Sequence, residues 1–152
     1  MQRRNLKSVL AQHHFLEGLA RPYLDLLTGC AANVRFAEEQ FLFHAGQEAD
    51  LFFLIRQGRV RIELPVGHRS PVTVQTVGEG EVLGWSWLIP PYRWHFSARA
   101  LEPVVALSFD GKCIRGKFET DHSLGYELFR RFAVIMSARL EGALLQLVGL
   151  CG

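Results

Sequence analysis

Apolar and polar positions along the chain change their period twice. Leu6, Val9 and Leu10 fall at i, i+3 and i+4, and a second run opens with Pro22 and carries Tyr23, Leu24, Leu26 and Leu27 before Gly29. Both patterns predict short helices and make residues 1–30 an N-terminal helical segment. From Asn33 the period shortens to two. Its clearest instance is Arg59-Val60-Arg61-Ile62-Glu63-Leu64, in which Val60, Ile62 and Leu64 are expected to face a core and the charges to face solvent. Similar runs occur at 41–43, 51–55, 72–77, 97–101 and 104–109, separated by turns such as Ala45-Gly46-Gln47, Gln57-Gly58 and Glu79-Gly80-Glu81. Short strands at regular spacing, with no helix between them, predict an antiparallel jelly-roll β-barrel over residues 33–109 rather than a parallel sheet.

After Asp110, a suitable N-cap, the period returns to 3.6. A short helix over residues 112–118 and a long one from about 121–123 to 147 are predicted, making 110–148 a C-terminal helical segment. In the long helix Leu124, Leu128, Phe132 and Ile135 form one apolar stripe, and Phe129, Ala133, Met136, Leu140, Ala143 and Leu147 form another. A helix that is apolar on two sides needs two burial partners. Either both stripes pack on one domain, or the barrel takes the first and the matching helix of a second subunit takes the other. The second arrangement makes Met136, Leu140, Ala143, Leu144 and Leu147 the expected homodimer interface. The fold class is therefore mainly β with flanking helices: one domain spanning 1–152, with short N-terminal helices, a barrel and a long C-terminal helix.

Composition narrows the setting without choosing a partner. The 152 residues are 49% hydrophobic and 21% charged, which suits one globular domain and excludes disorder. A net charge of +2 is too small to make nucleic acid or an anionic membrane the leading partner. The greasiest stretch, 142–152, is short and holds Gln146, so no membrane span is expected. Near the start, Lys7, Gln12, His13 and His14 interrupt any signal-peptide core. Cys30, Cys113 and Cys151 are odd in number, far apart and without C-x-x-C spacing, which argues against a disulfide framework or a zinc site and suits a reducing cytoplasm.

Three segments carry more specific information. Phe43-His44-Ala45-Gly46-Gln47-Glu48-Ala49-Asp50 leads into Leu51-Phe52-Phe53-Leu54-Ile55-Arg56-Gln57-Gly58-Arg59-Val60-Arg61-Ile62, and later comes Gly80-Glu81-Val82-Leu83-Gly84. Their order and spacing, with helices at both ends, resemble the cyclic-nucleotide-binding domain of the catabolite activator family over roughly residues 15–148. The resemblance implies a jelly roll whose cassette, residues 84–99 here, grips a cyclic phosphate with helix N-terminal amides and an Arg, while a Glu takes the ribose hydroxyl.

In that family the cassette follows a pattern like G-E-x-A-L, then R-x-A-[ST]. Gly84, Leu88 and Ser97 hold their places, but Trp85 stands where the Glu belongs and Trp94 where the Arg belongs. Ala143 and Leu144 align with the hydroxyl side chains that read adenine. Charge-assisted hydrogen bonds are worth about 1.5–3 kcal/mol each, so losing two weakens binding by roughly two to four powers of ten. Ordinary cAMP recognition is not expected.

Three readings of the cassette follow. Trp85, Trp87, Tyr92, Trp94 and Phe96 plug a vestigial pocket and leave an adaptor protein; or Arg93, with His95 and Ser97, replaces the missing Arg in a divergent cyclic-nucleotide site. In the third, the clustered tryptophans beside Arg93 and Arg99 hold another small aromatic or anionic ligand. The candidate ligand-binding residues are Gly84, Trp85, Ser86, Trp87, Leu88, Arg93, Trp94, His95 and Ser97, with no cofactor assigned. The leading expectation is a ligand-sensing regulatory module that is not an enzyme.

Other chemistries have weaker support. His13 and His14 are adjacent and cannot share one helical face, the other four histidines are dispersed, Gly78-Glu79-Gly80 is followed by Leu83 where a dinucleotide fingerprint needs Gly, and His95 with Ser97 lacks a third catalytic member. Neither a metal nor a catalytic residue is expected. Arg130, Arg131 and Arg139 read as a solvated helix edge. Transcriptional members of the family carry a helix-turn-helix after the long helix, so DNA binding by this chain alone is not expected.

Overall fold

The computed structural model describes residues 14–151. The helix expected around Leu6, Val9 and Leu10 lies outside the described residues. A 3-10 turn, His14–Leu16, precedes α1 (Arg21–Gly29), where Pro22 occupies the first turn and its fixed φ suits a helix start. Eight strands follow: β1 (Ala31–Phe36), β2 (Phe41–Phe43), β3 (Leu51–Gln57), β4 (Val60–Leu64), β5 (Val72–Val77), β6 (Val82–Leu83), β7 (Ser97–Ala100) and β8 (Val104–Asp110). Helices α2 (Gly111–Phe118) and α3 (His122–Cys151) complete the described chain. The expected cap forms: the Asp110 carboxylate accepts the Cys113 N–H at 3.1 Å.

The strands make two four-stranded antiparallel sheets, ordered β1-β8-β3-β6 and β2-β7-β4-β5, which is the anticipated jelly roll. Between them and α3 lies an aromatic core. Phe52 stacks on Phe109 at 4.6 Å and on Trp87 at 4.8 Å, and Phe132 of α3 meets Phe52 edge-on at 5.2 Å. Leu124, Leu128 and Phe132 are buried there, so the barrel covers the first stripe of α3.

Two expectations are corrected. The expected exposure of β4 fails at its end: Glu63 keeps the face of Arg61 but is 1% exposed because Arg61 and Arg99 of β7 close over it, and Leu64 is 38% exposed. Helix α3 also holds a stretch within His122–Gly149 that is long and apolar enough by length and composition alone to cross a membrane, a test that does not overturn the expected absence of a span. Its second apolar stripe is exposed at Leu140 and Leu147, as is Leu144 of the expected dimer interface, while Phe129 packs toward Phe118 at 5.9 Å. Finally, Cys30 and Cys113 are far apart only in sequence. Their sulfurs lie 2.7 Å from one another, and both thiols are free.

Candidate functional site

The cassette begins where β6 ends, at Gly84. Its φ of +98° lies in the left-handed region, and a Cβ there would sit 2.8 Å from Cη2 of Trp94. Backbone and packing both require glycine. A 3-10 turn, Ser86–Leu88, follows, closed by the Leu88 N–H donating to the Trp85 carbonyl at 2.9 Å. The return path is pinned to the β2–β3 connection. Ala49 N–H donates to the Tyr92 carbonyl at 2.7 Å, Gly46 N–H donates to the Trp94 carbonyl at 2.7 Å, and Trp94 N–H donates to the Gln47 carbonyl at 3.0 Å.

The three indoles divide their roles. Trp87 is fully buried in the aromatic core, and its Nε1 has no hydrogen-bond partner. Trp94 is 6% exposed and lies flat on Phe43, 3.7 Å between ring centres. Only Trp85 is half-buried. Leu88 is buried with Trp87, and Ser97 is buried at the start of β7, where its Oγ accepts the Ala45 N–H at 3.0 Å. Gly84, Trp85, Ser86, Trp94 and His95 line a cavity of about 30 Å³. That is roughly the share of one water molecule, against several hundred Å³ for a typical small-ligand site.

The cations are placed differently from the sequence reading. Exposed Arg93 donates from Nη1 to the Gly46 carbonyl at 3.1 Å and stands outside the cavity lining. Arg99 is engaged by acids, with Nη2 2.6 Å from Glu63 and Nη1 3.4 Å from Glu39. Arg131, expected on a solvated edge, instead donates to the carbonyls of Phe15 at 2.7 Å and Glu17 at 3.0 Å. Arg115 of α2 braces the cassette from below: it donates to the Trp87 carbonyl at 2.6 Å, pairs with Asp50 at 3.3 Å and lies over the Tyr92 ring at 4.1 Å.

Arg139, expected on a solvated helix edge, is instead half-buried against the cassette. It leaves α3, lies over the Trp85 ring at 5.3 Å and donates from Nη2 to the Val82 carbonyl. Its Nη1 is buried and has no partner. Burial lowers its pKa, opposed by the charge of Glu81. Arg139 also forms the wall between the small cavity and a cleft of about 610 Å³ beside Gly80, Glu81 and Val82. Its only sequence signal was a lone cation within an apolar stretch. Among the described residues, no group of three His, Cys, Asp or Glu side chains could hold a metal ion.

The cyclic nucleotide-binding domain family model matches residues 33–121. A solved protein of Geobacter metallireducens GS-15, named for cyclic nucleotide binding, is 26% identical with a TM-score of 0.78, covering 92% of this chain and 98% of that one. The sensor domain of the transcriptional regulator DNR from Pseudomonas aeruginosa shares the fold at 18% identity and TM-score 0.73, over 92% of this chain and 94% of that one. A cAMP/cGMP-dependent cyclic nucleotide phosphodiesterase of Dictyostelium discoideum is 25% identical over 108 residues, 65% of this chain. The match spans 9% of that relative's length.

Proposed function

The chain belongs to the cyclic nucleotide-binding domain family, and from that membership we propose a non-enzymatic, ligand-sensing regulatory module whose cassette takes a small aromatic or apolar anion instead of cAMP in the usual pose. The observation that carries this reading is Arg139. A guanidinium held against an indole, with a buried Nη1 lacking any hydrogen-bond partner and only the field of Glu81 opposing its desolvation, is a cation beside the cassette that an anion can pair with. The positions of the family's Glu and Arg hold Trp85 and Trp94, so the charge comes from the helix and the flat contact surface from the cassette.

In this mechanism the 30 Å³ cavity is the closed state. An anion pairing with Arg139 displaces Trp85, with Ser86 and His95 beside it as further donors. Arg139 belongs to α3, so its movement shifts the helix that bears the exposed apolar stripe. Two packings of α3, favoured differently by the ligand, form a two-state element that a partner can read. That partner is a second copy of the chain, docked through Met136, Leu140, Ala143, Leu144 and Leu147, in the cytoplasm.

A second reading, an adaptor with a vestigial pocket, draws on the face-to-face packing of Trp94 on Phe43 and on the small cavity they line. Thermal denaturation separates the two, because a ligand of the folded state raises the midpoint by mass action. Benzoate, indole-3-acetate, cAMP and cGMP are compared on wild type and Arg139→Met. A shift with the aromatic anions that Arg139→Met abolishes supports the sensor. No shift with any probe, together with a bare mass in native mass spectrometry, supports the adaptor. A shift with cAMP that survives Arg139→Met and is lost in Arg93→Ala replaces both with a nucleotide site.

A further inference from the structure

We propose that Cys30 and Cys113 are a reversible disulfide-forming pair that responds to hydroperoxides and, when oxidised, fastens α2 to the end of α1. The thiols are brought together by structure shared around Asp110. The backbone N–H of Asp110 donates to the Cys30 carbonyl at 2.9 Å, and the Asp110 carboxylate caps the Cys113 N–H at 3.1 Å. One residue thus anchors both cysteine backbones and holds their sulfurs 2.7 Å apart. No backbone rearrangement is needed to bring the sulfurs within bonding reach.

The two thiols are not equivalent. Cys113 is exposed, whereas Cys30 is half-buried, and burial together with the hydrogen bond to Cys113 pushes the Cys30 thiol up to about 12. Cys113 is therefore the group that meets the oxidant. Its thiolate attacks the peroxide oxygen, the O–O bond breaks, and a sulfenic acid and one water (or alcohol) result. The Cys30 sulfur then attacks the sulfenic sulfur; the S–S bond forms, the S–O bond breaks, and the departing hydroxide takes the Cys30 proton as a second water. Two thiols lose two electrons and two protons while one peroxide is reduced. A thiol reductant reverses the change by exchange.

The bond has a structural consequence beyond its own sulfurs. Helix α2 carries Arg115, which holds the cassette through the Trp87 carbonyl and the Tyr92 ring. Fixing Cys113 fixes the base on which the cassette rests. The inference is independent of any ligand proposed for the cassette.

The full chain, reduced and then exposed to a few equivalents of hydrogen peroxide, is read by peptide mass spectrometry without reduction. Expected is the loss of two hydrogens, a linked peptide pair containing Cys30 and Cys113, and recovery of both thiols with dithiothreitol. The oxidised form should melt roughly 5–15 °C higher, since the closed loop is long, and the amides of α2 should exchange more slowly. Cys151→Ser should leave the result unchanged. Cys113→Ser, at an exposed position, should abolish it, and in Cys30→Ser the Cys113 sulfur should proceed to sulfinic acid. Sulfinic acid on Cys113 in wild type with Cys30 still a thiol, or linkage only between molecules, would overturn the proposal.

Discussion

The carboxylate of Glu63 lies 2.6 Å from Nη2 of Arg99, on a strand position whose alternation would have placed it in water. Arg61 approaches the same oxygen at 3.3 Å, so a buried acid on β4 is held between its own strand and β7. The pair joins the cassette's exit strand, β7, to the middle of the second sheet. Arg99 is thereby occupied by protein acids.

Breaking one side of that pair should cost more than replacing both. Arg99→Met leaves a carboxylate that is 1% exposed with one weaker partner, and should destabilise the fold by about 3–5 kcal/mol. Arg99→Met combined with Glu63→Gln should recover much of the loss. Urea denaturation of the two single variants and the double variant gives the coupling.

Gly84 and Trp94 should behave as one packing unit. Gly84→Ala puts a methyl 2.8 Å from the Trp94 ring at a φ of +98° and should cost about 1–3 kcal/mol. Trp94→Leu removes the ring, so the double variant should lose less than the sum of the single losses. Additive midpoints in denaturant would separate the two residues.

For Arg139, removal of charge should leave the unliganded fold nearly intact. Burial lowers its pKa, so at every pH below that depressed value the folded state carries the full cost of the desolvated charge, and the cost disappears only as pH rises through it. Arg139→Met gives up the bond to Val82 and sheds that cost. The two effects oppose each other, and the unliganded stability should stay within about 1 kcal/mol of wild type. Stabilisation by aromatic anions should vanish.

Cys30 carries an alkaline signature. Its pKa rises from the ordinary 9.0 to about 12, so its contribution to stability is fully present below about 9 and is lost as pH climbs toward 12. Cys30→Ser should flatten that part of the stability–pH curve. At pH 8, iodoacetamide should label Cys113 well before Cys30.

Leu140 tests the exposed face of α3. At 61% exposure it contributes little to the barrel, so Leu140→Asp should leave the melting of the monomer unchanged while weakening self-association at least tenfold. Sedimentation equilibrium reads the change directly. A wild-type monomer at high micromolar concentration would remove the helix-pairing proposal.

Much of this architecture was written in local patterns. The two-residue period, the glycine turns and the cap at Asp110 placed β2 to β5, β7, β8 and α2 within a residue or two but gave no run for β1 or β6, because main-chain hydrogen bonding and one-sided burial act over short stretches. Gly84, with its positive φ and its packing on Trp94, was also legible as the point where the loop after β6 begins. Three relationships depended on chain segments brought together from far apart. Pairing with β7 set Arg99 over Glu63, α3 carried Arg139 onto Trp85, and Asp110 drew Cys30 beside Cys113 across 83 residues. Periodicity reports which face of an element is apolar. Which polar side chain that face meets is settled only when sheets and helices pack, since burial and counter-charge are properties of the assembled neighbours.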